Sequence, residues 1–312
     1  RHGHAEKTSM SGWPKNKSWE KYINDRTEEF AEYLWPKWDS VNRKWKGAAA
    51  DKMHEATKAE LEICVRVLHQ QDILQAFPNT HTASRLSPKN HLWHYRVEDF
   101  IGYDDTGIAH PPQEYGYDTA TATRPFSNIV RYDPDQNADD IWEVFCDLNG
   151  SKVKGTFQFK LTFQRPRPYT AAMILGVDGV KHHTATRHIH TGGHPAFPSG
   201  HCLQGLLISG GLIHKQAERL GLDAVNVDAI MQYGVDFGDR RVFAGVHYPT
   251  DNIASWVNAV LLSAELFDDN KATQARIKHA IRTHSRVYEV IDEHYRHVDV
   301  LKPAVAYMDE HI

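Results

Sequence analysis

The chain has 312 residues, with 36 Lys+Arg against 40 Asp+Glu, a formal net charge of −4, 41% hydrophobic residues and 24% charged ones. That balance belongs to a folded soluble protein and excludes a disordered chain or a membrane-embedded bundle. The small acidic excess leaves no basic footprint for nucleic-acid binding, and no apolar run reaches the ~18–20 residues that span a bilayer.

Two counts stand out. Twenty-one histidines make the charge swing strongly below neutral pH. The three cysteines, Cys64, Cys146 and Cys202, are too few and too widely spaced for a disulfide framework or a zinc pattern. Each lies in an apolar helical stretch, so buried thiols are expected.

In chain order, Ser18–Trp38 carries apolar positions at Tyr22, Ile23, Phe30, Tyr33 and Leu34 and reads as a helix. Trp13, Trp19, Trp35, Trp38 and Trp45 cluster here, suited to packing a helix on a bundle or to a subunit contact. Asp51–Phe77 places Leu61, Cys64, Val65 and Leu68 on one helical stripe. Residues 78–137 are rich in Pro, Asp, Thr, His and Tyr and read as a long irregular region, of the kind that builds lids or binding walls. Asp133, Asp135 and Asn137 echo a calcium loop, but Ala138 stands where Gly is required and Val144 where Glu is required. Thereafter Thr156–Gln164, Gly200–Leu220, Val225–Phe237, Asp251–Phe267 and Thr273–His297 have helix-length apolar stripes. Gly205, Gly210 and Gly211 weaken a solitary helix by ~1 kcal/mol each, which predicts close approach of a neighbouring helix.

Chemistry concentrates in three short segments. In the first, Lys160 and Arg167 lie seven residues apart, which on one helix puts two cations on the same face, with Pro166 and Pro168 marking its end. The competing reading is a solvated basic helix tip. In the second, Pro198-Ser199-Gly200-His201, Ser199 suits an N-cap and Gly200 admits a ligand close to the backbone. The first amides of the helix that follows form an anion site, although an ordinary capped helix has the same sequence. The third runs from Arg241 through His247 to Asp251. A carboxylate four residues after His247 can accept from one ring nitrogen and leave the other as a nucleophile; alternatively it only caps a helix. Together the segments supply cations (Lys160, Arg167, Arg241), helix-start amides (Ser199, Gly200), a histidine with an orienting carboxylate (His247, Asp251) and a second histidine for proton transfer (His201). That set suits phosphoryl transfer, in which catalysis is mostly positioning and charge stabilisation.

In order and spacing the segments resemble the tripartite signature of the type-2 phosphatidic acid phosphatase / vanadium haloperoxidase superfamily: Lys-x6-Arg-Pro, Pro-Ser-Gly-His and Ser-Arg-x5-His-x3-Asp. Lys160 to Pro168, Pro198 to His201, and Arg241 with His247 and Asp251 match it, with Arg240 in place of the signature Ser. The resemblance implies an all-α helical bundle, here with N-terminal helices and a long irregular region. The resemblance covers residues ~156–260; the organisation expected is a catalytic helical bundle over 138–312, with the N-terminal helices and long loop region of residues 1–137 packed on it in one structural unit. It further implies that Lys160, Arg167, Ser199, Gly200 and Arg241 cradle phosphate, that His247 attacks phosphorus, that His201 handles the leaving-group proton, and that Asp251 orients His247.

The expected activity is metal-independent hydrolysis of a small phosphomonoester through a phosphohistidine, with no cofactor, as in soluble acid phosphatases. The alternative is a vanadium-dependent haloperoxidase, with vanadate in the same cradle and His247 as its ligand. A non-catalytic phosphate- or vanadate-binding module is a second alternative. Arg165-Pro166-Arg167-Pro168 and Gly245 to Asp251 look more like the phosphatases, whereas His194 to His201, with Phe197, looks like the haloperoxidase form. His182, His183, His188, His190 and His194 form a histidine-rich segment between the first two motifs; it is read as a polar loop beside the site rather than a zinc site. A homo-oligomer through the N-terminal aromatic helices is expected, without nucleic-acid partners or a transmembrane segment. The resemblance favours a periplasmic or secreted location.

Overall fold

The computed structural model describes residues 19–47, 50–71, 155–181, 194–220 and 224–312. The calcium-loop echo at Asp133, the irregular region, Cys146 and His182 to His190 lie outside the described residues. The described chain is helical apart from one short hairpin, as an all-α fold requires. Helix α1 is Trp19–Tyr33, followed by strands β1 (Trp38–Asp39) and β2 (Lys44–Trp45). These pair antiparallel with Trp38 opposite Trp45. Helix α2 (Ala50–Ile63) runs on into a π-helical turn over Cys64–Leu68. Then come α3 (Gly155–Phe163), α4 (Pro168–Leu175), α5 (Gly200–Leu220), α6 (Ala224–Phe243) and α7 (Pro249–Leu266). Helices α8 (Ala272–His284), α9 (Arg286–His294) and α10 (Lys302–His311) complete the chain, with short 3-10 turns between the last two.

Helix α7 is the central element: residues from Pro249 through Val260 are all buried, with Trp256 wholly enclosed. A helix buried on every face must be surrounded by other elements, and α5, α8, α9 and α10 pack around it. Helices α5 and α6 form the closest pair. The reason lies in their glycines. A methyl group on Gly205 would meet the Gly234 carbonyl oxygen at 2.4 Å and Phe237 Cβ at 2.8 Å. The predicted close approach at Gly205 is therefore present, and Gly210 likewise sits against Thr273.

The N-terminal helices fasten onto this bundle through aromatic rings. Phe30 of α1 makes edge contacts with Phe159 (5.4 Å) and Phe197 (5.3 Å), and Tyr33 stacks on Tyr307 of α10 at 4.9 Å. Trp35, Trp38 and Trp45 are buried in the same core, which is the packing role read from the tryptophan cluster. Cys64 and Cys202 are buried free thiols, as expected.

Several boundaries differ from the sequence reading. The first helix ends at Tyr33 rather than Trp38, because the hairpin begins there. Helix α6 continues six residues past Phe237, to Phe243, because Gly238 packs directly on Cys202 and does not end the helix. The stretch Thr273–His297 is cut at Ser285. There the Ser285 hydroxyl caps α9 by accepting from the Tyr288 N–H at 3.0 Å. Buried Asp239 of α6 fixes the break by accepting from Ser285 Oγ (2.9 Å) and the Arg286 N–H (2.8 Å). Pro168 opens α4 instead of only closing the preceding helix, and α10 had no distinct sequence signal.

The tight α5–α6 crossing generates a stability prediction. Gly205→Ala should destabilise the fold by roughly 1–3 kcal/mol, because a carbonyl oxygen cannot rotate away as a side chain can. Denaturant unfolding measures this; parental stability would contradict the close crossing.

Candidate active site

The residues singled out in the three segments come from five helices and meet in one place. Lys160 lies on α3, and Arg167 is the N-cap of α4. Ser199, Gly200 and His201 open α5, Arg241 occupies the last turn of α6, and His247 and Asp251 flank the start of α7. Lys160 and Arg167 do not share a helix face, because α3 ends at Phe163 and the chain turns before Arg167. Their proximity is tertiary. All the charged members are buried, from 0% exposure at Asp251 to 7% at Lys160. Burying so many charges is costly unless each has partners.

His247 has a defined tautomer. Its Nδ1 lies 2.9 Å from Asp251 Oδ2, and its Nε2 lies 3.0 Å from Arg167 Nη1. A guanidinium can only donate. Nε2 therefore accepts, and Nδ1 carries the proton that it donates to Asp251. Arg167 is aligned by two further donations, to the Val246 carbonyl at 2.8 Å and the His194 carbonyl at 2.9 Å. Burial, then the Arg167 charge, holds the His247 pKa well below the ordinary histidine value, against the pull of Asp251. Burial works to raise the Asp251 carboxyl, but Arg165, His247 and the Tyr248 N–H outweigh it and bring it down to about 2.

Asp251 also performs the cap function that was the competing reading. Oδ2 accepts from the Tyr248 N–H at 3.0 Å, closing the first turn of α7 behind Pro249. One carboxylate thus starts a helix and orients an imidazole. The turn before it depends on Gly245, at φ +79°, where a side chain would run into the Lys181 carbonyl. The Val246 and His247 N–H groups fold back onto the Arg241 carbonyl at 3.1 and 3.3 Å. This ties Arg241 to His247.

The Lys160 ammonium donates to the carbonyls of Pro195 (2.9 Å), Ala196 (3.1 Å) and Pro198 (2.6 Å). It therefore pins the strap that leads into Ser199. Burial first and Arg167 next hold its pKa well below the ordinary lysine value. Ser199 is the cap predicted for α5: its Oγ accepts from the Cys202 N–H at 3.4 Å, and its carbonyl accepts from Ser255 Oγ at 2.7 Å. A methyl group on Gly200 would meet only Thr156 Cγ2, at an ordinary 3.6 Å, so packing does not demand glycine there. His201 lies beside Phe237, and its pKa is held well below the ordinary value by burial, then by Arg241, His247, Arg167 and Lys160. Arg240, at the signature Ser position, is buried near the Tyr233 ring.

Sequence reasoning missed a second, acidic side of the site. Arg165 donates through Nη1 to Asp251 Oδ1 and Thr250 Oγ1, both at 2.8 Å, and through Nη2 to Glu60 Oε2 at 3.0 Å. Its guanidinium lies 3.7 Å above the Tyr248 ring. Glu60, on α2, also accepts from the Thr250 N–H (2.8 Å), Thr250 Oγ1 (2.9 Å) and Tyr295 Oη (2.9 Å). The Arg-Pro-Arg-Pro repeat was a visible signal for Arg165; nothing in the sequence ties Glu60 or Tyr295 to it.

This convergence is the setting for the comparisons with known proteins. Residues 149–272 match the family model of the PAP2 superfamily. The match assigns this segment, and not the residues before it, to the superfamily. No curated protein and no solved structure matches the chain. The PAP2 segment contains Lys160, Arg165, Arg167, Ser199, His201, Arg241, His247 and Asp251, and leaves Glu60 and Tyr295 outside it. Its members carry phosphatase-like or haloperoxidase-like activity in general. No described helix of the chain is long and apolar enough to cross a membrane.

The buried histidines predict a pH-dependent stability. Buried His69 has its pKa pushed down to about 4 by burial and then by Lys181, while His201 and His247 are lowered for the reasons above. The unfolded chain takes up protons below about 6.5, and the native imidazoles do not. Their contribution is present above that pH and is lost as pH falls from about 6.5 towards 4. His69 alone accounts for up to about 3 kcal/mol across that interval. Urea unfolding at pH 7.5 and pH 5 should show the loss, and imidazole NMR should show no His247 midpoint near 6.5.

Proposed function

We propose that the protein hydrolyses phosphomonoesters through a phosphohistidine on His247 Nε2, without a metal cofactor. The observation that carries this reading is the fixed tautomer: Asp251 holds the Nδ1 proton, so the Nε2 lone pair points at Arg167. Binding alone needs cations and amides; an imidazole with its own orienting carboxylate suits a nucleophile.

In this reading Arg167 and Arg241, with the positive end of the α5 dipole, take the phosphoryl oxygens and stabilise the charge that grows on them. Lys160 adds positive charge and keeps the strap before Ser199 in place. His247 Nε2 attacks phosphorus as the ester P–O bond breaks. Phosphomonoesters take their second ionisation at a pH of about 6, so an acidic solution supplies a monoanion that brings its own proton. His201, neutral among cations, relays that proton to the leaving oxygen. Water then attacks phosphorus as the P–Nε2 bond breaks; His201 takes the water's proton and passes it to the departing phosphate monoanion, so both histidines end neutral.

Vanadate has the shape and charge of phosphate and fits the same donors, with His247 as its ligand; it would supply peroxide activation for halide oxidation. Two observations favour hydrolysis. Arg165, part of the phosphatase-like Arg-Pro-Arg-Pro segment, is committed to Asp251 and Glu60. Phe197, from the haloperoxidase-like stretch, is turned into the core against Phe30 and Phe163 rather than towards the site.

The purified protein should release phosphate from p-nitrophenyl phosphate in the presence of EDTA, with an optimum on the acid side of neutrality. His247→Ala should lower kcat by about a thousandfold or more with an unchanged circular dichroism spectrum. Metal-dependent turnover, or wild-type rates in that variant, would refute the assignment. Orthovanadate should inhibit competitively. Bromination of monochlorodimedone by vanadate-loaded protein with peroxide, in the absence of phosphate release, would replace hydrolysis with the haloperoxidase reading.

A further inference from the structure

Glu60 lies on α2, nearly ninety residues before the PAP2 segment begins, yet it closes the acidic side of the site. All its contacts come from donors: Arg165 Nη2, the Thr250 N–H, Thr250 Oγ1 and Tyr295 Oη. A carboxyl surrounded only by donors has no use for a proton of its own. Its pKa is raised, by burial first and by Asp251 as well, although Arg165 and Thr250 work against the rise and the donors on both oxygens favour the ionised form. Ionised Glu60 and Asp251 therefore share one cation, Arg165, between them.

The charge count gives this arrangement a consequence. Asp251 paired with Arg165 alone would be neutral. Glu60 leaves the cluster one negative charge in excess, on the Nδ1 side of His247. On the Nε2 side stands Arg167. When Nε2 bonds to phosphorus, the ring acquires positive charge. An excess negative charge held in a low-dielectric interior stabilises that developing charge.

We infer that Glu60 is a positioning residue for catalysis, acting through Arg165 and Asp251 on His247, so that α2 belongs to the working site of this enzyme although it lies outside the matched segment. The kinetic part of this inference rests on His247 being the nucleophile. The geometric part does not.

Glu60→Gln is a conservative test. The amide oxygen can keep the acceptor role of Oε1 towards the Thr250 N–H and Tyr295 Oη, while the amide nitrogen cannot accept from Arg165. On p-nitrophenyl phosphate, kcat per folded molecule should fall at least about tenfold with KM within about twofold, as expected for charge felt mainly in the transition state. The second readout needs no turnover: the downfield proton NMR resonance of the His247 Nδ1–H, assigned by its loss in His247→Gln, should shift or broaden in Glu60→Gln. A variant with a lowered Tm but wild-type kcat and an unmoved resonance overturns the inference, since a purely structural glutamate behaves that way. If the parent shows no hydrolysis, the proposed function fails and the resonance alone decides: displacement supports the Glu60 linkage and constancy overturns it. Should Glu60→Gln not fold, Thr250→Val removes the hydroxyl that accepts from Arg165 and donates to Glu60. It should then show the same pattern with a several-fold loss of kcat, and parental values in both readouts overturn the inference.

Discussion

A carboxylate with no exposed surface cannot remain ionised unless donors surround it, and the site is arranged around one such group. Asp251 takes the Arg165 guanidinium on one oxygen and the His247 ring and the Tyr248 N–H on the other. Three separate tasks follow from its being there. It starts α7, it holds the proton on Nδ1 of His247, and it compensates a buried arginine. Removing the charge would leave Arg165 with Glu60 as its one carboxylate and the His247 Nδ1–H without its charged acceptor, so helix start, ion pair and imidazole are linked at this one residue.

The charges around His247 are separated by side. Arg167 stands at Nε2, Lys160 acts on both His247 and His201, and Arg241 acts on His201. Asp251, Arg165 and Glu60 stand at Nδ1. An imidazole held between a cationic and an anionic group is polarised along the direction in which it would attack. Because these groups are buried and already oriented, little reorganisation is required when charge moves, which is where electrostatic catalysis derives its strength. Lys160 contributes in a less direct way than its charge suggests, since its ammonium is engaged by three carbonyls of the strap before Ser199.

Rigid elements deliver these groups. The starts of α4, α5 and α7 carry Arg167, Ser199 and His247, and the last turn of α6 carries Arg241. Helix starts carry the positive end of the dipole, so several of them gathered in one place make surroundings that favour an anion. Behind this centre the α5–α6 crossing through Gly205 and the aromatic contacts of Phe30 and Phe197 fix the spacing of the helices.

Local chemistry made much of this legible in the chain alone. The helical stripes, the cap at Ser199, the His247–Asp251 pair and the grouping of Lys160, Arg167 and Arg241 all follow from short spacings, because caps and i,i+4 contacts are written within a few residues of sequence. Tertiary structure decided the rest. Arg165 acquired its role only when α3, α7 and α2 met. Glu60 and Tyr295, 235 positions apart, carry no mutual signal in the sequence. The break at Ser285 depends on Asp239 of another helix, and the turn between Lys160 and Arg167 brings their charges together without a shared helix face. A buried charge is stabilised by whichever donors the fold brings within about 3 Å, and residues far apart in a chain reach that distance only after it has folded.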